Sequence, residues 1–505
     1  MSMTISKTRY WAGVQCLKRL YLLVHSPELA AHPTAADQAI IEQGREVGML
    51  ARQLFPSGVE VRCEGGLDAA IRTTRDLLAN PEIPAIFEAV FEHQNVLVKV
   101  DILHRRRDGR WRLIEVKSSA DVKEEHLNDV GIQYRVVSRC GIDVGSVCLA
   151  HVNRGYIYAG GEIDPRRFFR IRNLTRRVQR LQTKLTFQLR SEFTVLAMQQ
   201  PPDVAPGRHC TDPVTCEFYD RCNPPRSEDH IGFLPRLHAS AMQELEEMGI
   251  GSIRDIPDDF ELTEIQRRAA TCVRMGKPWF SPELANELAR LKYPLRFMDF
   301  ETVNWAIPRF AGTHPYQQIP FQWSAHMQQR PGAEPQHYEF LATDANDPRR
   351  EFISSLFATL GETGSIVVYS SFESQRLSEL AAWLPEFAER IRAIQTRLFD
   401  LLPVAREHTY HPAYAGSYSI KSVLPALVPE MTYEGMEVAD GQTAGLAWES
   451  LVRGGLDVSG RDRIEKALRA YCGKDTLAMV RLLQALHFLR TTKEKCFASN
   501  GWIQE

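Results

Sequence analysis

Apolar side chains recur along this chain in two rhythms, helical and alternating, and the rhythms succeed one another in blocks. In IIEQGREVGMLARQLF they fall at helical spacing until Pro56, Ser57 and Gly58, which predicts helices over residues 1 to about 60. VLVKVDILHRRRDGRWRLIEVKSS then reads as two strands turning at Asp108 and Gly109, a pair suited to the left-handed backbone of a hairpin. A helix over EEHLNDVGIQYRVVSRCGI, a strand over SVCLAHVNRGYIY and a long helix over DPRRFFRIRNLTRRVQRLQTKLTFQLR complete a first α/β block.

PPDVAPGRHC and NPPRSED, Pro-rich and polar, bracket a cysteine loop and place a boundary near residue 226. Residues 227–290 read as a helical linker. Its GIGSI turn is similar to a helix-hairpin-helix, whose amides can meet a phosphate, but a glycine turn between two helices is usually only a turn. From Pro294 the strands RFMDFET, FQWSAHMQQ and GSIVVYSSFE alternate with helices, ending in IEKALRAYCGKDTLAMVRLLQALHFL. The chain therefore divides into domains at 1–226, 227–290 and 291–505, with α/β architecture in the first and last.

Charge changes this picture only locally. With 61 Lys and Arg against 63 Asp and Glu, the net charge of -2 gives no global pull on a polyanion. The predicted helix within 164–190, however, carries nine basic residues and one acid. Such a stripe tracks a phosphate backbone, or is simply a solvated face. The N-terminus lacks the layout of a signal peptide, and no apolar run of about 18 residues follows, so a soluble, cytoplasmic protein with no membrane partner is expected.

In a reducing compartment the ten cysteines point to metal ligands rather than disulfides. Cys210, Cys216 and Cys222 in GRHCTDPVTCEFYDRC follow one another with five residues between, three thiols in need of a fourth ligand. The cysteines outside this loop read, Cys16 apart, as small buried apolar residues.

Two sets of acids carry candidate chemistry. Glu115 and Lys117 stand two apart on one strand, hence on one face, with Asp101 on its hairpin partner. Carboxylates plus an ammonium suit Mg²⁺- or Mn²⁺-assisted phosphodiester cleavage, although a solvated surface hairpin shows the same residues. Ideal pairing about Asp108 and Gly109 sets Asp101 opposite Val116, one residue off, so a bulge or longer loop is required. In MDFET, Asp299 and Glu301 share a face of an apolar strand, and Tyr471 and Asp475 lie four apart on a later helix.

Asp101, Glu115, Lys117 and the helical Gln133 resemble the D...ExK...Q signature of RecB-like PD-(D/E)xK nucleases. Position 137 is Val where many members have Tyr. Gly44 is followed by Gly48 where many have a metal-binding His, leaving Glu42 or Glu46 as substitutes. The iron-sulfur branch of these nucleases, which includes AddB and the CRISPR-associated RecB-type exonucleases, has one Cys before the core and three after it. Cys16 corresponds to the first. The resemblance thus implies a four-cysteine [4Fe-4S] staple from Cys16, Cys210, Cys216 and Cys222, with zinc as the alternative.

The second set is similar to the DEDD exonucleases of the ribonuclease H-like fold, in the subgroup with a tyrosine. That likeness assigns Asp299, Glu301, Asp475 and Tyr471 to a two-metal site, with Glu373, or else Asp400, where the family has Asp. The HPAYAGSYSIKSVLPALVP segment has no counterpart in the simplest members; Lys421, His411 and Tyr418 within it are candidates for contact with a nucleic-acid strand. Nearly the whole chain resembles a bacterial family of RecB-like nucleases. Together the likenesses imply a metal-dependent exonuclease acting on single-stranded or end-containing DNA in repair, recombination or defence. A non-catalytic nucleic-acid-binding scaffold and an RNA exonuclease are the alternatives.

Overall fold

A computed structural model describes residues 4–496, with side chains to residue 488. The chain is mixed α/β and forms two compact units: Met1–Pro225 with Trp305–Gln317, and Arg226–Asn304 with Gln318–Glu505.

In the first unit a mixed sheet runs Val59–Glu60, Ala85–His93, Val96–Arg105, Trp111–Lys117, Val144–Val152 and Phe169–Asn173, with the short strand Ile5–Ser6 beside Val96–Arg105. Its core is built where alternation puts Val96, Val98 and Val100 on one face against Val130, Val137, Leu185 and Leu189 of the covering helices. The hairpin pairs Ile102 with Ile114 and Arg105 with Trp111, so five residues, 106–110, form its loop. Gly109 takes φ 80° there. This longer loop supplies the one-residue offset: continued by one step, the register sets Asp101 across from Glu115.

The arginine-rich stretch is not one helix. Pro165–Phe168 is a single helical turn, Phe169–Asn173 is an edge strand antiparallel to Val144–Val152, and the helix proper is Thr175–Leu196. FRIRN alternates with period two, and Asn173 accepts hydrogen bonds from Thr175, stopping the strand and starting the helix.

The second unit holds a sheet ordered Gln336–Leu341, Ile319–Gln328, Leu295–Val303, Ile366–Val368, Leu398–Asp400; the first two pairings are antiparallel and the last two parallel. Residues 227–290 are no free linker. Ile231, Leu245, Ile253 and Ile256 are buried in one cluster with Leu295, Phe297 and Tyr414. The GIGSI turn follows the helix Ala239–Glu247 but opens into a three-residue 3-10 turn, Ile253–Asp255; the next helix starts at Glu264. The plain turn is thus what stands at that place, and the two helices do not follow one another directly as in a helix-hairpin-helix.

Candidate active sites

In the first unit the hairpin and the helix Glu124–Arg139 bring the expected residues together. Asp101 accepts the Val116 amide at 2.8 Å, Gln133 donates to Glu115 at 2.7 Å, and Lys117 reaches Glu115 at 2.8 Å. Two further residues join them. Asp129, one helical turn before Gln133, accepts from Lys117 at 2.5 Å and from Gln133 at 3.2 Å. Lys7, at the start of the first helix, lies 2.9 Å from Glu115 and 3.4 Å from Asp129.

This is three carboxylates against two ammonium groups, with Glu115 only 1% exposed. Burial pushes Glu115 up, but Lys117 and then Lys7 more than offset it and hold it well below the usual range. Burial, then Glu115, raises Asp101 to about 7, and the same two causes raise Asp129. The set opens into a groove of about 950 Å³ that is also lined by Gly44 and Gly48. Both lie on the helix Ala35–Arg52 and, being glycines, supply no ligand atom; Glu42 of the same helix pairs with Arg45 at 3.3 Å. Tyr316 donates to the Ser118 carbonyl beside Lys117.

The four cysteines Cys16, Cys210, Cys216 and Cys222 line one cavity. Cys16 caps the junction of helices Lys7–Gln15 and Leu17–His25, and Gln15 fixes the loop by donating to His209 and Val214 carbonyls at 2.6 and 2.8 Å. The amides of Gly207 and Phe218 point at Cys210 and Cys216 sulfurs at 3.5 and 3.4 Å. Burial pushes the Cys216 thiol up to about 11. Of the six cysteines expected to be buried apolar fillers, Cys63 and Cys140 are exposed instead, at a loop and a helix end; Cys148, Cys272 and Cys472 are buried, and the side chain of Cys496 lies outside the described residues.

In the second unit Asp299 and Glu301 project from the central strand towards the long helix Val458–Cys496. That helix is pinned to the neighbouring strand. Thr476 bonds Ser324 at 2.7 Å and His326 at 2.8 Å, and Gln322 donates to Leu468 at 3.0 Å. The same helix face therefore presents Tyr471, Cys472 and Asp475 to the strand acids.

Asp299 is raised by burial and then by Asp475, Glu301 and Glu373; Glu301 by burial and then Asp475. Burial lifts Glu373 to about 7. Glu373 Oε2 and Asp475 Oδ1 are buried without a hydrogen-bond partner. Asp400, the alternative, caps the helix Leu401–His408 through the Leu402 amide at 2.9 Å; it too is raised, by burial, and acts on Glu373 through space.

Sequence reasoning passed over Cys472, whose sulfur lies 3.8 Å from Asp299 Oδ2 within one potential ligand group with Glu301, and Tyr433. Lys421 lies 5.4 Å from the ring centres of both Tyr433 and Tyr471. The helix Gly441–Arg453 begins beside Glu301: a Cβ at Gly441 would come within 3.3 Å of Glu301 Oε2, a tight contact that the Glu301 side chain would have to relieve by a small shift.

A family model described as a domain of unknown function (DUF2779) matches residues 296–419, the segment carrying Asp299, Glu301 and Glu373. No curated protein matches the chain. A solved structure titled "Crystal structure of SSO0001" is similar over 44% of this chain and 87% of its own, at 14% identity and a TM-score of 0.24.

Proposed function

We propose that the chain is a metal-dependent nuclease acting on DNA, in which a RecB-like unit and a ribonuclease H-like exonuclease unit each hold a phosphodiesterase site. The observation that carries this reading is the second acid set. Four carboxylates from one strand and two helices converge, all raised by burial, and two of their oxygens are buried without a partner. Unpaired buried carboxylates are costly, and a divalent cation is what such a donor set accepts.

Asp299, Glu301, Glu373 and Asp475 would hold Mg²⁺ or Mn²⁺, which when bound supplies an activated water and charge stabilisation at phosphorus. Tyr471, beside Asp475, orients the water; Lys421 faces developing negative charge from the rim. In the first unit Asp101 and Glu115 are the ligands and Lys117 is the cation for the phosphate, with Gln133 and Asp129 holding Glu115 and Lys117 in place. A divalent ion there has to compete with Lys7 and Lys117 for Glu115.

The four cysteines suit a [4Fe-4S] cluster better than one zinc ion. Tetrahedral zinc with bonds of about 2.3 Å needs sulfurs roughly 3.8 Å apart. Among the described residues no three of these sulfurs lie within 4.8 Å of one another, although all four share a cavity. Iron and labile sulfide in the anaerobically purified protein support the cluster; a colourless preparation containing zinc overturns it.

The test of the nuclease reading is digestion of end-labelled single-stranded DNA with Mn²⁺ by the wild type, Lys117→Ala and Asp299→Ala. Loss in one variant identifies the working unit. Equal cleavage by all three removes the catalytic assignment, and the same assay on RNA decides the substrate sugar.

A further inference from the structure

Beside the second acid set lies a cavity of about 440 Å³, the size of a small-ligand pocket. Arg236 and Arg406 are in its lining, together with the rings of Tyr369 and Tyr418 and the residue Ser419 that caps the helix Ile420–Leu427; no carboxylate lines it. Neither guanidinium has a hydrogen-bonded acid or an ion pair among the described residues. The other arginine of this neighbourhood, Arg268, is by contrast bonded to Glu264 at 2.9 Å and stacked 3.7 Å over Trp279. Arg406 acts on Asp400 through space but is bonded to no acid, so two guanidinium forks line one pocket, and their geometry matches a phosphate.

The backbone around the pocket is held in an unusual shape. Arg236 sits at φ 53°, Ala415 at 47° and Gly416 at 73°, all left-handed. At Gly416 a side chain would strike the Phe233 carbonyl at 2.3 Å, so the loop carrying Tyr418 closes against the segment carrying Arg236 only with glycine there. Non-glycine residues in this region are strained, and such strain persists where surrounding packing imposes it. Tyr369 braces the loop by donating to the Tyr418 carbonyl at 2.7 Å.

Position relative to the acids follows from the chain. Tyr369 directly ends the strand Ile366–Val368 and precedes Glu373 by four residues; Leu402 is fixed to Asp400, whose charge acts on Glu373. The pocket thus stands at the C-terminal ends of the two parallel strands, where ligands bind in open α/β sheets.

We propose that Arg236, Arg406 and Tyr418 form a phosphate-binding subsite for a nucleic-acid strand, in which the guanidinium groups take a phosphate and the tyrosine ring takes an adjoining base. Base stacking on such a ring is tolerant of sequence. The phosphate is either a backbone diester or a terminal monoester. This subsite rests on the nucleic-acid reading above but not on cleavage.

The test is fluorescence anisotropy with the full chain in EDTA, using single-stranded DNA bearing a 5′-phosphate or a 5′-hydroxyl. Arg236→Gly and Arg406→Gln are each expected to weaken binding several-fold, and the double variant at least tenfold. The slope of log K against log salt is expected to shrink by about one to two. A loss confined to the phosphorylated strand assigns the terminal monoester; an equal loss on both assigns the backbone. Wild-type affinity and salt slope in the double variant overturn the proposal.

Arg236→Gly relieves a left-handed residue, so its thermal midpoint is expected to hold or rise, which separates lost binding from lost folding. Because the assay needs no cleavage, a protein inactive with Mn²⁺ in which the double variant still weakens binding keeps the subsite and loses only the nuclease reading.

Discussion

The two acid sets solve the same electrostatic problem in opposite ways. In the first, Glu115 and Asp129 are met by Lys7, Lys117 and Gln133, which hold Glu115 in its charged form although burial still raises Asp101 and Asp129. In the second, four acids converge with cations only at the periphery, Lys421 and Lys474 near Asp475 and Arg376 near Glu373, and each acid is pushed towards its protonated form. The first set is therefore assembled by its own lysines; the second depends on protons or on an added cation. A site of the first kind gives up an internal ion pair to bind metal, and one of the second kind gives up only protons.

The largest way to break this contrast is to remove an internal cation. Lys7→Met leaves Glu115 and Asp129 one charge short, and about 3 kcal/mol of stability is expected to go, read as a lower urea midpoint of the first transition. Adding Glu115→Gln to it should recover most of the loss. The equivalent change at the second set, Lys421→Met, is expected to move the midpoint by less than about 1 kcal/mol, because Lys421 is exposed and bonded only to a backbone carbonyl.

Next in size is pH. For a carboxyl raised in the folded state, stability is fully present below its unfolded pKa and is lost as pH rises through the folded one. For Glu373, raised by burial to about 7, that window runs from about 4.5 to above 7. In EDTA the thermal midpoint of the second unit should therefore fall between pH 5 and 8. Mn²⁺ should raise it by several degrees at pH 8 and hardly at pH 5. Asp475→Asn should flatten the EDTA profile and abolish the Mn²⁺ shift; an unchanged Mn²⁺ shift would remove Asp475 from the ligand set.

Glu192 serves as the control. Buried and hydrogen-bonded to Gln188, it is raised by burial to about 8; no hydrogen bond among the described residues joins it to either acid set, although Tyr10 feels both it and Asp129. Glu192→Gln should raise stability at pH 7 and above, with no response to Mn²⁺.

The smallest effect is steric. Gly441→Ala puts a methyl within 3.3 Å of Glu301 and is expected to cost about 1 kcal/mol, while lowering Mn²⁺ affinity in a calorimetric titration.

Much of this geometry was legible because catalytic spacing obeys element periods. Glu115 and Lys117 on one strand face, or Tyr471 and Asp475 on one helix face, follow from steps of two and four. Asp129 obeyed the same rule, four before Gln133, and was findable. Lys7 was not: it reaches the site only because the strand Ile5–Ser6 joins the sheet beside Val96–Arg105, a pairing of two residues with no local signal. Density of arginine hid the alternation of FRIRN and made a strand read as helix. The supposed linker misled because its buried residues, Ile231, Leu245, Ile253 and Ile256, are spread over short turns whose common core exists only in three dimensions.

The segment Trp305–Gln317 leaves the second sheet between two of its paired strands and completes the first unit, where Ala306 is buried with Val47 and Ile102 and its amide bonds Gln43 at 3.0 Å. The polypeptide therefore passes between the units three times, not once. A chain cut at residue 225 therefore lacks the segment that packs with Val47 and Ile102, and its first part is expected to expose that apolar patch.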